Sequence, residues 1–457
     1  MDIQQLRNVG IIAHGGAGKT TLAEALLFAA KTTDRMGKVD DGSSNFDYDA
    51  EEVRRKITIS TTFHHYNWNK VEVVVADTPG YINFEADTRA CLSMLDGAVL
   101  VVNAVSGVEV QTEKMWTFAR ASDVPVLAYI SKMDRERADF AKAVEEIGDI
   151  LKVNAVPIAL PIGKEAGFTG IVDVLRMKAM IYKGDTGEFT LTDIPAELAG
   201  DAARAREKLV EASAESDDEL IEKYLEGNEL SEEEIRKGFQ AGVRAMKFLP
   251  VLCGASSRCI GVHMLLDLIN FALPDPSYRG EVAGKNPKTG ADEIRAISAD
   301  APFSAQVFKT LADPYAGKLS IFKIHSGTLT PELSPLNPGK EVQERVGQIL
   351  RLEGKKQKPL GSASAGEIVA VAKFKETATG DTLCDPKNPI IFEPPVRIDP
   401  VISFAVRPKT RNDEDKLGSS LVRMIEEDPT LNFRKDAQTN EFILAGMGET
   451  HLEVAVE

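Results

Sequence analysis

The fold is decided by one stretch near the N-terminus, Val9-Gly10-Ile11-Ile12-Ala13-His14-Gly15-Gly16-Ala17-Gly18-Lys19-Thr20-Thr21. It opens with aliphatic residues and one glycine, the pattern of a short buried strand. A glycine-rich turn follows, and the apolar spacing after it predicts a helix over Thr20–Ala30. A strand, a tight turn and a helix in this order predict the first unit of an α/β domain.

Short apolar runs continue to alternate with helical stretches beyond this point. The predicted strands are Val9–Ala13, Val71–Ala76, Ala98–Val102 and Val126–Ile130, and a further helix is predicted over Phe84–Leu95. This alternation predicts a doubly wound, mostly parallel sheet covered by helices. The long polar stretch Thr32–Thr58 interrupts it, and connections of this length are usually functional.

The length and composition predict a multidomain soluble protein. The chain has 457 residues, of which 43% are hydrophobic and 27% charged, and this is too long for one core. We predict a first domain over residues 1–275 with an acidic, helix-rich insertion at 154–249, a linker over 276–300, an all-β domain over 301–395 and an α+β domain over 396–457.

The charge and the apolar runs exclude several classes of protein. With 54 basic and 70 acidic residues the net charge is −16, which disfavours non-specific binding to nucleic acid. No apolar run approaches the ~20 residues of a membrane helix, and the N-terminus lacks the apolar core of a signal peptide. The four widely spaced cysteines are expected to be buried thiols. We therefore expect a cytoplasmic protein without a membrane or DNA partner.

The glycine-rich turn has the residues of a phosphate-binding loop, with Ala13 in place of the first glycine. Glycines let main-chain N–H groups point inward around phosphates, and the following helix adds its positive end. In such a loop Lys19 bridges the β- and γ-phosphates and the Thr20 hydroxyl binds Mg²⁺. A flexible glycine turn is the alternative, but the strand before it and the helix after it favour phosphate binding.

Asp77-Thr78-Pro79-Gly80 follows the second predicted strand. A carboxylate at this strand end can hold Mg²⁺ through water, and Gly80 lets its N–H approach the γ-phosphate. Pro-Gly by itself is ordinary turn chemistry. Its position after a strand and downstream of the loop favours the functional interpretation.

Three further segments complete the candidate site. Asp134, in Ser131-Lys132-Met133-Asp134, can accept two hydrogen bonds from guanine that adenine cannot donate, while the Lys132 stem lies along the purine. Gly254-Ala255-Ser256 can touch the base through main-chain N–H groups, although a simple turn explains it nearly as well. Thr58 can complete the Mg²⁺ shell at the end of the long polar stretch.

These motifs, in this order, resemble the translational GTPases, and in particular bacterial elongation factor G and its divergent paralogues. The resemblance covers essentially the whole chain. Further matching segments are Leu160–Lys164 and Gly170–Met177 in the insertion, Asp313–Gly317, Ser326–Leu329 and Thr379–Leu383 in a β-barrel domain, and Pro408–Thr410, Glu427–Thr430 and Gly446–Glu449 in a ferredoxin-like α+β domain.

The resemblance implies a GTP hydrolase that acts on the ribosome in elongation, translocation or a related step. GTP or GDP and Mg²⁺ would be its cofactors, ribosomal RNA and proteins its partners, and a monomer its usual state. Carried over by position, the site residues are Ala13, His14, Gly15, Gly16, Ala17, Gly18, Lys19, Thr20 and Thr21 for phosphates, Thr20, Thr58 and Asp77 for Mg²⁺, Ser131, Lys132, Asp134, Gly254, Ala255 and Ser256 for guanine, and Lys19, Gly80 and Tyr81 for catalysis. Two basic clusters are either RNA contacts or solvated surface, namely Arg351, Lys355, Lys356 and Lys358, and Arg407, Lys409 and Arg411.

Several positions depart from the family pattern. Tyr81 stands where the family has a histidine that orients the attacking water, Gly16 where it often has Asp, Lys56 where it has Gly, and Ser131 where it has Asn. Positioning supplies most of the catalysis of phosphoryl transfer, so hydrolysis is expected to be slow.

Three hypotheses follow. The first is a ribosome-associated GTPase, and the second is a GTP-dependent ribosome-binding switch with weak hydrolysis. An ATP-dependent kinase is a third, against which Asp134 argues. The family carries two more domains after the third, and this chain ends at Glu457 inside a predicted helix. We therefore expect a fragment or a split protein that does not translocate by itself.

Overall fold

The computed structural model describes residues 2–313, 317–396, 398–408, 410, 414–439 and 441–457. The first domain contains eleven strands among these residues. In chain order they are β1 (Leu6–Ala13), β2 (Thr62–Trp68), β3 (Val71–Asp77), β4 (Gly97–Asn103), β5 (Val126–Ser131), β6 (Ala155–Pro157), β7 (Ala159–Ile162), β8 (Gly170–Asp173), β9 (Lys178–Tyr182), β10 (Phe189–Thr192) and β11 (Leu249–Cys253).

The helices of this domain alternate with its strands. They are α1 (Lys19–Ala29), α2 (Ala50–Arg55), α3 (Glu85–Leu92), α4 (Val110–Ala121), α5 (Phe140–Leu151), α6 (Ala199–Ala214), α7 (Asp218–Leu225), α8 (Glu232–Arg244) and α9 (Val262–Ala272). Two helix groups cover the central sheet, since α1 packs with α9 while α4 packs with α3 and α5.

The central sheet has seven strands in the order β2-β3-β1-β4-β5-β11-β6. All its pairings are parallel except that of β2 with β3. Every residue of β1 and β5 is buried, as expected for strands covered on both faces. The predicted doubly wound, mostly parallel fold is therefore confirmed. The carboxyl ends of β1, β3 and β5 carry the phosphate loop, Asp77 and Ser131.

The insertion differs from its predicted helix-rich character. Its first half is a four-stranded antiparallel sheet in the order β10-β9-β8-β7, and helices α6 to α8 follow. The segment β6 lies within the predicted insertion but pairs with β11 in the central sheet. Helical periodicity identified the second half, whereas the short strands of the first half have no clear alternation.

The predicted linker forms a hairpin of β12 (Glu281–Lys285) and β13 (Asp292–Ala296). Gly284 requires the absence of a side chain, because a Cβ there would lie 2.7 Å from Ile390 and Ile391. The segment predicted as a linker is therefore an ordered hairpin, and Gly284 in it makes a close packing contact.

The second domain is antiparallel throughout, as the all-β prediction requires. Its strands are β14 (Ser304–Asp313), β15 (Gly317–Ser326), β16 (Thr328–Leu329), β17 (Leu336–Asn337), β18 (Val342–Gln343), β19 (Ile349–Glu353), β20 (Lys356–Leu360), β21 (Ala363–Ser364), β22 (Ile368–Ala372) and β23 (Thr382–Cys384). Eight of them form one sheet, and β16 pairs with β21.

The third domain is a small α/β unit. It consists of β24 (Ile402–Val406), α10 (Glu414–Glu427), β25 (Asn432–Lys435), β26 (Phe442–Gly446) and α11 (Glu449–Val456), with the sheet order β24-β26-β25. Five of the residues in the predicted motifs and clusters lie outside the described residues, namely Pro314, Tyr315, Ala316, Lys409 and Arg411.

Two expectations about the whole chain can be compared with the structure. The four cysteines are all buried and unpaired, which confirms the prediction of buried thiols. Within the described ranges, no helix combines the length and the hydrophobicity needed to cross a membrane.

Candidate nucleotide and magnesium site

The phosphate loop connects β1 to α1 in a conformation that requires two glycines. Gly16 and Gly18 have φ angles of 76° and 101°, a region that L side chains rarely adopt. Gly18 is the N-cap of α1, and no side chain caps the helix there. The N–H groups of residues 18–21 have no acceptor in the described part of the chain. The loop therefore presents a row of free donors at a helix N-terminus, where anions are favoured.

Lys19 points back into the loop from the first turn of α1. Its Nζ donates to the His14 carbonyl at 3.3 Å, and the side chain is only 6% exposed. Burial lowers the pKa of Lys19, whereas the nearby carboxylates of Asp77 and Asp47 act in the opposite direction. A phosphate placed here would supply the negative charge that a buried ammonium lacks.

The three residues predicted to bind Mg²⁺ lie together. The Thr20 hydroxyl donates to Asp77 Oδ2 at 2.6 Å, and the Thr58 hydroxyl lies 3.1 Å from the Thr20 hydroxyl. All three residues are buried. Thr58 comes from the long polar stretch, Thr20 from α1 and Asp77 from β3, so three segments distant in sequence meet at one point.

Asp47 is a fourth member of this cluster that the sequence analysis missed. It is 2% exposed, bonds to Thr58 and interacts with Lys19. One carboxylate oxygen of Asp47 and one of Asp77 are buried without a hydrogen-bond partner in the described part of the chain. Burial raises the pKa of both carboxylic acids. Nothing in the spacing of Asp47 marks it, because it lies in an irregular loop.

Two glutamates hold the long polar stretch in place. Glu24 in α1 is completely buried and accepts hydrogen bonds from Gly37 N–H and from the N–H and side-chain amide of Asn45, at 2.5–3.1 Å. Glu52 in α2 accepts from the N–H groups of Ile59 and Ser60 at 3.0 and 3.1 Å. In the sequence, only the presence of Glu24 among the apolar residues of α1 indicated that this helix holds the polar stretch.

Gly80 and Tyr81 lie against the phosphate loop. A Cβ on Gly80 would overlap Lys19 Nζ and would lie 2.9 Å from the Gly15 nitrogen, so no other residue fits there. The Tyr81 ring lies over Gly15 and remains 43% exposed. Gly80 is therefore adjacent to Lys19, and Tyr81 lies against the phosphate loop at Gly15.

The guanine segments meet the other side of the loop. Ser131 Oγ donates to the Ala17 carbonyl at 2.7 Å, and Lys132 Nζ donates to the Gly16 carbonyl at 2.7 Å. The Lys132 side chain passes within 3.8 Å of the position of a Cβ on Gly18. The hydroxyl of Ser131 thus braces the phosphate loop although it replaces a larger amide side chain.

Asp134 is partly exposed, and none of the hydrogen bonds or ion pairs within the described ranges engages its carboxylate. Its segment is tied to the third guanine segment, because Met133 N–H donates to the Gly254 carbonyl at 3.2 Å. The N–H groups of Gly254 and Ala255 are already bonded, to the carbonyls of Ile130 and Ile260. Of the three N–H groups expected to reach the base, only that of Ser256 has no acceptor among the described residues.

His14 and several residues of the basic clusters lie close to carboxylates. The His14 Nε2 atom lies 3.6 Å from the Glu109 carboxylate. Arg351 forms a 2.8 Å ion pair with Glu72, and Arg407 pairs with Glu441, so neither presents a free guanidinium. Lys355 and Lys356 are exposed, and they remain available to a partner.

The residues fit a magnesium nucleotide. Within the described chain no group of three or more His, Cys, Asp and Glu side chains is arranged for a metal ion. An ion at Thr20, Thr58 and Asp77 would therefore rely on hydroxyl, phosphate and water oxygens, which Mg²⁺ prefers. The free carboxylate oxygens of Asp47 and Asp77 would bind the cation or accept hydrogen bonds from its water ligands. The free N–H groups at the start of α1 would donate to the phosphates.

Comparisons with known proteins agree with this geometry. The family described as "Elongation factor Tu GTP binding domain" matches residues 4–275, "Elongation factor G domain 2" matches residues 302–386, and "Elongation Factor G, domain III" matches residues 398–457. A crystal structure of a protein from Thermus thermophilus is similar over 98% of this chain, with 32% sequence identity and a TM-score of 0.87. This chain spans 65% of that protein's length.

Proposed function

Because this chain belongs to the elongation factor Tu and elongation factor G family of translational GTPases, we propose that it binds GTP with Mg²⁺ and hydrolyses it on the ribosome. The step served would be elongation, translocation or a related ribosomal step. The observation that carries the proposal is the meeting of Lys19, Thr20, Thr58 and Asp77 at one end of the phosphate loop, while Lys132 closes its other end.

The phosphates would lie against the free N–H groups at the start of α1 and the ammonium of Lys19. Thr20, Thr58 and Asp77 would hold Mg²⁺, with Asp47 as a further acceptor for its water ligands. A bound Mg²⁺ would neutralise part of the negative charge that develops during phosphoryl transfer. Asp134 would distinguish guanine from adenine, and Ser256 would contact the base through its N–H.

The conformation of the polar stretch at residues 32–61 would also depend on whether the terminal phosphate is present. Thr58 reaches Thr20 only because the stretch from residue 32 to residue 61 folds over α1, where Glu24 and Glu52 hold it. Loss of the phosphate would remove a charge partner of Lys19 and a contact of Thr58. The state of this stretch would then report on hydrolysis to the rest of the molecule.

The end of the polar stretch is also connected to the second domain through Asp87. Asp87 in α3 accepts from Thr61 N–H and from Lys309 Nζ in β14, both at 2.5 Å. The Lys309 side chain is 6% exposed. A shift at the end of the polar stretch would therefore act on a partly buried ion pair between two domains.

The second candidate function is a GTP-dependent ribosome-binding switch with weak hydrolysis, and Tyr81 favours it. A phenol is neutral near pH 7 and cannot take up a proton as an imidazole can. Its ring rests on the phosphate loop at the position from which a catalytic side chain would act. Nucleotide binding would then be retained while the rate remains low.

Phosphate release from GTP, measured with and without ribosomes, distinguishes the two functions. Strong stimulation by ribosomes supports the GTPase. Release near background, together with GTP-dependent cosedimentation with ribosomes, supports the switch. Failure to bind GTP at all contradicts both. Lys19→Met should abolish nucleotide binding, and Lys31→Met, at an exposed position just beyond α1, is the matched control.

A further inference from the structure

Gly15 is a glycine that its own backbone conformation does not require. The neighbouring Gly16 and Gly18 have φ angles of 76° and 101°, where a side chain is strained. Gly15 is not among the residues with a positive φ. A Cβ at residue 15 is therefore compatible with the main chain, and the reason for glycine must lie in what surrounds it.

The surroundings of Gly15 are a single aromatic ring. A Cβ on Gly15 would lie 2.9 Å from Cζ and 3.0 Å from both Cε1 and Cε2 of Tyr81, and these are its three nearest atoms. Contacts this short require one of the two residues to move. The hydroxyl end of the Tyr81 ring thus occupies the space that a side chain at residue 15 would fill.

The position of the Tyr81 ring is set by packing and by the fixed position of the preceding residue, Gly80. Gly80, the preceding residue, is fixed between Lys19 Nζ and the Gly15 nitrogen. Tyr81 itself has an extended conformation, with φ −96° and ψ 142°. No hydrogen bond holds its phenol in the described part of the chain, and the residue is 43% exposed. Since van der Waals contact alone seats the ring, its position depends on the size of residue 15.

We propose that Gly15 is a positioning residue that acts through Tyr81. Its missing side chain lets the phenol reach across the phosphate loop to the terminal-phosphate end of the site. This inference rests on the proposed function, because the phenol would orient the water that attacks the γ-phosphate. The water oxygen bonds to phosphorus as the bond to the GDP oxygen breaks, the proton of the water passes to the released phosphate, and Tyr81 only donates or accepts hydrogen bonds. Catalysis of this transfer depends mostly on positioning, so a displaced phenol lowers the rate.

A double-mutant cycle of Gly15→Val and Tyr81→Ala tests the coupling. In the protein that retains Tyr81, Gly15→Val should lower the single-turnover rate of GTP hydrolysis about tenfold. In the Tyr81→Ala background the same change should lower the rate at saturating GTP by a clearly smaller factor, because no ring remains to be displaced and any effect on phosphate contacts is common to both backgrounds. An equal loss in both backgrounds would overturn the proposal, since residue 15 would then act directly on the nucleotide.

A second measurement does not depend on GTP. In protein labelled with 3-fluorotyrosine, the ¹⁹F resonance of Tyr81 is identified by its loss in Tyr81→Phe. Gly15→Ala and Gly15→Val should both shift this resonance toward that of exposed Tyr278, and leave the other tyrosine resonances in place. If the Tyr81 resonance does not move in a folded variant, the ring does not pack on Gly15 as proposed. If the resonance moves but the protein does not bind GTP, the packing of Tyr81 on Gly15 is supported and the proposed function is contradicted.

Discussion

The Thr20 hydroxyl donates a 2.6 Å hydrogen bond to the Asp77 carboxylate and so joins the first turn of α1 to the end of β3. Both residues are buried, and the second Asp77 oxygen has no partner among the described residues. This is a satisfied hydroxyl beside an unsatisfied carboxylate, an arrangement that a divalent cation would complete.

Removing this hydroxyl should weaken magnesium-dependent nucleotide binding. Thr20→Val keeps the shape of the side chain and loses the oxygen, so the gain in GTP affinity on adding Mg²⁺ should fall about tenfold or more. Titration of a fluorescent GTP analogue, with Mg²⁺ and with a chelator, measures it. Thr117→Val on the exposed face of α4 is the matched control. An unchanged magnesium dependence would remove Thr20 from the site.

Asp134 should determine which base is bound. Asp134→Asn replaces one of the two acceptors with a donor, so the amide would face the guanine amine unfavourably. We expect GTP affinity to fall about ten- to a hundredfold, as for the loss of a hydrogen bond to a charged group. Xanthosine triphosphate, which presents a carbonyl at this position, should bind more tightly than GTP. A variant that keeps its full preference for GTP would contradict the assignment of guanine.

Tyr81→His should raise the ribosome-stimulated rate by about tenfold, because an imidazole can exchange a proton near neutral pH. Tyr81→Phe retains the ring and loses the hydroxyl, and it should show no such increase. Multiple-turnover phosphate release in the presence of ribosomes provides the measurement. If the histidine variant is no faster, another departure from the family pattern limits hydrolysis.

Stability of the polar stretch should depend on pH through Glu52. Burial raises the pKa of this carboxylic acid from 4.5 to about 7, although it accepts three main-chain hydrogen bonds. The folded state then binds the proton more tightly than the unfolded state, so the contribution of Glu52 is fully present at low pH. It falls as the pH rises from about 4.5 through 7, by about 3 kcal/mol in all.

Comparison with Glu52→Gln isolates this effect, because the one acceptor oxygen of glutamine can keep the hydrogen bonds from Ile59 and Ser60 N–H and the side chain does not ionise. Hydrogen exchange of residues 32–61 from pH 5 to pH 8 should show the native loop losing protection relative to the variant as the pH rises. A difference that stays constant, or grows in the opposite direction, would be inconsistent with a raised pKa.

The interface between the first two domains should depend on a buried ion pair. Lys323 Nζ lies 2.5 Å from Asp96 Oδ1, and burial lowers the pKa of this lysine. Lys323→Met would leave the Asp96 carboxylate buried with one partner, Asn8, and should destabilise the protein by about 3–5 kcal/mol. Urea unfolding followed by fluorescence measures it.

The exposed pair of Lys178 and Asp193 provides the control for that experiment. Its nitrogen–oxygen distance is 2.8 Å, but Asp193 is 94% exposed. Lys178→Met should change the free energy of unfolding by under about 1 kcal/mol. Equal effects at the two lysines would mean that burial of Lys323 does not strengthen its dependence on Asp96.

The main elements of the first domain could be predicted because each is encoded locally. The strand now bounded by Val71–Asp77 is built around a β-branched run, and the capping pattern at Ser231 gives the start of α8 with its reciprocal hydrogen bonds. The insertion sheet and the hairpin at 281–296 were missed. Their strands are short, and several are largely exposed, so no clear alternation of apolar and polar residues marks them.

The sequence by itself determined the chemistry that is written within consecutive residues. The glycines of the phosphate loop, Lys19 and Thr20 follow one another, because one strand–turn–helix unit forms the whole cradle. The tertiary structure alone decided which distant groups complete it. The position of Asp47, the packing of Tyr81 on Gly15 and the hydrogen bond from the Gly254 N–H to Ile130 depend on distant segments meeting around the sheet. Such contacts follow from packing between segments far apart in the chain, and no local pattern of residues records them.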